Sequence, residues 1–252
     1  MMITIKSPRE IELMRKAGRI TAGARTAARQ ALRPGITTDE IDRIVKEYIL
    51  SQGAKPTFLG YEGYPKSVCV SVNDELIHGI PGKRVIHEGD IVSVDVGATY
   101  QGYVGDCAGT YGVGDITPEA ERLIRVTRDS FFAGLKEAHT GNRLSDISAA
   151  IQRYVESSGY SVVREYTGHG IGSDMHEDPA VPNYGNPGRG PRLLQGMTLA
   201  VEPMVNAGGP EIRVLSNKWT VVTVDGSLAA HYENTILITS GEPEILTMAD
   251  DI

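Results

Sequence analysis

The feature that most limits what this chain can fold into is an internal echo. Gly35, Ile41, Val45, Tyr48, Ile49 and Gly53, shifted by 106 residues, fall on Gly141, Ile147, Ile151, Tyr154, Val155 and Gly159. Gly89, Val92, Val94 and Asp95, shifted by 107, fall on Gly196, Leu199, Val201 and Glu202. The first set carries helical apolar spacing and the second carries strand spacing, so the chain reads as two related α/β halves, about 1–113 and 114–252, inside one domain spanning 1–252. His78-Gly79-Ile80 also resembles His169-Gly170-Ile171, at a different offset of 91 that requires loop-length changes between the halves.

Helix starts fit this plan. Ser7-Pro8-Arg9-Glu10 reads as a capping box opening a helix that runs to Pro34-Gly35. Thr37/Thr38 opens a second helix that ends at Gly53, Thr117-Pro118 opens a third, and Ser145 opens a fourth that ends before Gly159. Strands from both halves would form a shared central antiparallel sheet with the helices on its back, and any site would lie on the pseudo-twofold axis. The Pro/Gly-rich stretch from Pro179 to Pro191 reads as a loop and a candidate wall of a cleft.

Against this scaffold five residues stand out. Asp95 lies in IVSVDVGA, Asp106 in GYVGDCAGT, His169 in TGHGIG, Glu202 in TLAVEPM and Glu233 in HYENTI. A carboxylate within such an apolar run suffers a large desolvation cost unless it is protonated or a cation sits against it. A hairpin turn near Tyr100-Gln101-Gly102, centred between residues 100 and 101, places Asp95 directly opposite Asp106. Like charges so placed repel, whereas a metal site requires them close. Four carboxylates and a neutral imidazole balance two divalent cations, roughly 3.5–4 Å apart with a shared water. Oxygen-rich ligation with one imidazole suits Mn, Fe or Co, with Zn also open.

Other signals fail or stay open. His176-Glu177 is not an HExxH zinc motif, because residue 180 is Ala, and Gly168-His169-Gly170-Ile171-Gly172 is not a dinucleotide fingerprint, because residue 173 is Ser. His78 and His176 flank Gly/Pro-rich turns near the ligands, which favours catalysis over a structural role. A net charge of −7 and the lack of a Lys/Arg cluster argue against nucleic acid, and no stretch reads as a signal peptide or membrane span. Two cysteines, Cys69 and Cys107, and no Asn-x-Ser/Thr acceptor fit buried reduced thiols and a cytoplasmic setting.

SVNDELIHGIPG, VSVDVGATYQGYVGDCAGT, YTGHGIGSDMHEDP, VEPM and HYENTI together resemble type I methionine aminopeptidases, over nearly the whole chain. The resemblance implies the pita-bread fold and removal of the initiator methionine from nascent polypeptides with a small second residue. It implies that Asp106 and Glu233 bridge two metal ions (Co, Mn, Fe or Zn), that Asp95 completes one ion, and that His169 with Glu202 completes the other. Glu202 would also take the proton of the attacking water, His176 would stabilise the oxyanion, and His78 would bind the substrate near the scissile amide. Tyr61, Tyr64, Cys69 and Trp219 would surround the methionine side chain, with Phe58 and Met175 at pocket positions where well-known members carry Cys and Phe. A monomer is expected, meeting nascent chains at the ribosome or away from it. The chain lacks the N-terminal extension of longer type I forms and the helical insertion of type II forms, so their ribosome-docking elements are not implied. Two rivals stand beside this reading: an X-Pro peptidase or creatinase-like hydrolase, which usually carries an extra N-terminal domain, and a metal-free binding protein on the same fold, which would have lost ligands.

Overall fold

The computed structural model describes residues 3–248, and four helices in it begin at their caps. α1 (Pro8–Ala31) starts from Ser7, whose hydroxyl accepts from the Glu10 N–H while the Glu10 carboxylate accepts from the Ser7 N–H. That exchange satisfies two amides beyond the reach of helix bonds. α2 (Thr38–Ser51) uses Thr37 and Glu40 the same way, and α3 (Pro118–Leu135) is capped by the Thr117 hydroxyl. α4 (Leu144–Ser157) begins one residue before Ser145, because the Asp146 carboxylate holds the Arg143 N–H at 2.7 Å. α1 ends at Ala31 rather than at Pro34-Gly35, since a residue preceding proline is disfavoured in helical conformation.

The offset of 106–107 residues recurs in backbone hydrogen bonds. The Gly35 N–H donates to the Ile86 carbonyl and the Ile86 N–H to the Ile36 carbonyl; likewise Gly141 donates to Leu193 and Leu193 to Asn142. Thr38 to Arg84 and Asp39 to Gly82 are matched by Leu144 to Pro191 and Ser145 to Arg189. The His-Gly-Ile likeness, by contrast, is not part of the repeat. His169 pairs with Ala200, and 107 residues earlier the residue paired with Ser93 is Ser71, not His78.

Among the described residues nine strands form the main sheet. Its central run is Ile91–Tyr100, Tyr103–Gly112, Glu233–Leu237, Thr198–Val201 and Gly168–Gly170, each antiparallel to the next. Lys55–Pro56 and Cys69–Val72 pair with Ile91–Tyr100 at one edge, and Glu177–Val181 closes the other. Val92, Val94 and Val96 pack with Ala24, Ala28, Ile41, Val45 and Ile49 of α1 and α2. Leu199, Val201 and Ile236 pack with Leu123, Phe131, Ile147 and Ile151 of α3 and α4. Each buried Val, Leu, Ile or Phe among them contributes about 1.5–3 kcal/mol. The two-residue period then turns Ser93 and Asp95 to the opposite face.

The hairpin register differs from the sequence expectation. Tyr100 pairs with Tyr103, so Asp95 faces Ala108 and Asp106 faces Gly97. The turn is Gln101-Gly102, both at positive φ (48° and 87°), which is the tight two-residue connection that matches strand twist. It shifts the ladder by two residues and makes the two aspartates diagonal neighbours on one face. The 179–191 stretch also departs from expectation as a cleft wall. It closes onto the start of α4, where Gly188 donates to the Asp146 carboxylate and Pro191 and Arg189 accept from Leu144 and Ser145.

Candidate metal centre

Five neighbouring chain segments across the sheet each present one polar side chain to the face away from the helices. Ala108, on the second strand, pairs with Asp95 on one side and with Glu233 on the other, so Asp95, Ala108 and Glu233 form a row across three strands. Asp106 sits two residues along the middle strand, diagonal to both. Asn234 pairs with Val201, and the same register continued by one residue sets Glu202 beside Glu233. His169, on the next strand, pairs with Ala200 and so lies diagonal to Glu202. Glycines flank His169 because there is no room for more: a Cβ on Gly168 would lie 2.3 Å from the Ala200 carbonyl oxygen, and one on Gly170 would lie 2.2 Å from that of Asp178.

The electrostatics of this cluster call for a cation. Burial pushes Asp95 up to about 7, and raises Asp106, Glu202 and Glu233 well above the usual carboxylate range. The charges of Asp95 and Glu202 add to burial at Asp106, and those of Asp106, Glu202 and Asp95 add to it at Glu233. Asp95 Oδ1, Asp106 Oδ1 and Glu233 Oε1 are buried without a hydrogen-bond partner among the described residues. Orphaned buried carboxylate oxygens of this kind are what a bound divalent cation satisfies. The Asp106, His169 and Glu233 ligand atoms all lie within 4.8 Å of one another, as do those of Asp95, His231 and Glu233. His169 is prepared for the role. Its Nδ1 lies 2.9 Å from the Gly170 carbonyl, and burial lowers it to about 4, so a neutral ring turns its Nε2 lone pair toward Asp106 and Glu202.

These ligands form one end of a cavity of about 260 Å³. Its walls bring together every residue expected there: Phe58, Tyr61, Tyr64, Cys69, His78, Met175, His176 and Trp219. Tyr64 and Trp219 meet edge to face at 5.0 Å, and Phe58, Tyr64, Cys69 and Met175 are buried in one apolar cluster. Phe58 fits because its neighbour on the sheet is Gly97, where a Cβ would lie 2.6 Å from the ring. His176, exposed at the mouth, has its Nδ1 2.7 Å from the Tyr61 hydroxyl and its ring 4.3 Å from that of His169. His78 holds a left-handed φ of 57°, uncommon for a side-chain-bearing residue, and its ring lies edge-on to Tyr166 at 5.7 Å.

Three residues here were not anticipated from sequence. Tyr166 and Glu62 also line the cavity, and His231 sits buried against Glu202 and Glu233. The signal for His231 was legible, since it lies two residues before Glu233, on the same side of an extended run.

A model of metallopeptidase family M24 matches residues 12–240. A methionine aminopeptidase from Clostridium acetobutylicum is 57% identical over 250 residues, covering 99% of this chain and 100% of that protein. Methionine aminopeptidase 1 of Bacillus subtilis is 54% identical over 246 residues, covering 98% and 99%. The crystal structure of methionine aminopeptidase from Thermotoga maritima matches with a TM-score of 0.97 at 51% identity, over 98% of this chain and 100% of that one. A prolidase from Pyrococcus furiosus shares the fold at 24% identity and a TM-score of 0.81, but this chain spans 66% of it.

Proposed function

The chain belongs to metallopeptidase family M24, and from that premise we propose that it is a metal-dependent methionine aminopeptidase that removes the initiator methionine from nascent polypeptides. The observation that carries this reading is the placement of four buried carboxylates and a histidine at one end of an apolar, sulfur- and aromatic-lined cavity of about 260 Å³. A flexible thioether suits walls of Phe58, Tyr64, Met175 and Trp219. The X-Pro peptidases share the fold, and the metal-free alternative is disfavoured because all five ligand positions are kept.

Asp95, Asp106, His169, Glu202 and Glu233 would hold two divalent ions, with Asp106 and Glu233 shared between them. Two ions match the charge of four carboxylates, and their identity lies among Co, Mn, Fe and Zn. When bound they would supply Lewis acidity toward the first carbonyl and would lower the pKa of the attacking water. The chain's own groups do the rest. Glu202, at the base of the cavity, accepts the proton of the attacking water and returns it to the departing amine. With Tyr61 donating to His176 Nδ1, the Nε2 of His176 carries a proton to donate to the developing oxyanion. His78 hydrogen-bonds the substrate near the scissile amide and fixes its orientation. The chain works as a monomer on nascent N-termini in the cytoplasm, either at the ribosome or away from it.

A peptide series tests this reading. Met-Gly, Met-Ala and Met-Ser peptides should be cleaved and Met-Leu or Met-Phe peptides spared. Indifference to the second residue, or cleavage of Xaa-Pro peptides in their place, would overturn it.

A further inference from the structure

His231 is 2% exposed, and neither ring nitrogen has a hydrogen-bond partner among the described residues. Such a ring is costly unless something meets its nitrogens. Its backbone is fixed, because the Thr110 hydroxyl accepts from the His231 N–H and donates to its carbonyl, both at 2.9 Å. Pairing with Met204 holds it from the other side. The imidazole therefore stands where it is for a structural reason independent of its nitrogens.

The spacing around it is that of a ligand. His231 Nε2 lies 3.6 Å from Glu202 Oε2 and 3.9 Å from Glu233 Oε2. His169 Nε2 lies 3.7 Å from Glu202 Oε1 and 3.8 Å from Asp106 Oδ2. Both sets exceed hydrogen-bond length. Both fall between the separations of adjacent and opposed ligands on one ion, about 3 and 4.2 Å for bonds of about 2.1 Å. The two histidines thus straddle Glu202, one at each carboxylate oxygen. The ring of His231 completes a compact group with Asp95 and Glu233, as His169 does with Asp106 and Glu233.

We propose that His231 is a sixth ligand of the metal centre, on the Asp95–Glu233 side, so that each ion carries one imidazole. This rests on the reading that the site holds two ions. A second nitrogen donor makes the Asp95 side softer than carboxylates alone, and favours Co, Fe or Zn over Mn there.

The test is cobalt titration of the chelated protein, with imidazoles counted by X-ray absorption and second-ion affinity measured by calorimetry. The wild-type chain should take up two ions with two imidazoles. His231→Gln should keep the first ion, lose one imidazole, and bind the second ion about tenfold or more weakly. Asp95→Asn should weaken the same ion, and near-ultraviolet dichroism checks that both variants are folded. The wild-type count stands alone if either variant is not. Two ions with a single imidazole in the wild-type protein, or the same imidazole count and affinities in His231→Gln, would overturn the sixth ligand and leave the dinuclear reading intact. Failure of the wild-type chain to bind a second ion would overturn both.

Discussion

Asp95 and Asp106 are diagonal neighbours on one face of a single hairpin, each with a buried Oδ1 that no hydrogen bond reaches among the described residues. Two carboxylates so placed destabilise the metal-free chain and stabilise the loaded one. Asp106→Asn should therefore act in opposite directions on stability and on binding. In chelator its melting temperature should rise relative to that of the wild-type chain as pH is raised, because the amide never acquires a charge that burial penalises. Calorimetry should find metal uptake lost. Normal uptake of two ions would show that Asp106 does not bridge them.

The same charges set a pH dependence. Asp95, raised to about 7 in the folded chain, favours folding while protonated, and this contribution is lost as pH rises through that value. The buried His78 and His169, lowered to about 4, act oppositely, but only below their unfolded value of 6.5. Glu10 and Asp225, lowered to about 2, stabilise above the ordinary carboxylate range and matter only in acid. Between pH 6.5 and about 8, the carboxylates therefore dominate. Thermal melts of the chelated protein should fall in temperature across that window, and metal should abolish or reverse the trend.

Ala108 lies between Asp95 and Glu233, fully buried, and its small side chain leaves the space over which the two carboxylates converge. Ala108→Val adds volume there without touching a ligand. We expect about tenfold weaker metal binding by calorimetry, with helical content unchanged by circular dichroism.

His78 lines the cavity, and among the described residues it forms no ion pair with the carboxylates that share it. Replacing it with Ala should keep both ions and lower turnover by about 10²–10⁴-fold. Equal loss of metal and activity would make it part of the centre instead.

Much of this was legible in the sequence because the repeat is built from local signals. Glycines at 35 and 141, 53 and 159, and 89 and 196 all take positive φ, so turn chemistry alone marks equivalent places. The five ligands were legible because acids in valine-rich strands contradict their surroundings. The register of the hairpin was not, since it depends on Gln101 adopting a φ of 48°, a conformation glycine signals and glutamine does not. Nor was His231 read as a ligand candidate. Its spacing two residues before Glu233 is a local signal for the same face, but the Thr110 contact that fixes its backbone lies more than a hundred residues away in sequence and no local pattern announces it.

The most direct test is release of free methionine from Met-Ala-Ser by the chelated protein before and after reloading with Mn, Fe, Co or Zn. No release after chelation, and recovery with at least one of these ions, is the predicted result. Undiminished methionine release from the thoroughly chelated protein would contradict the account.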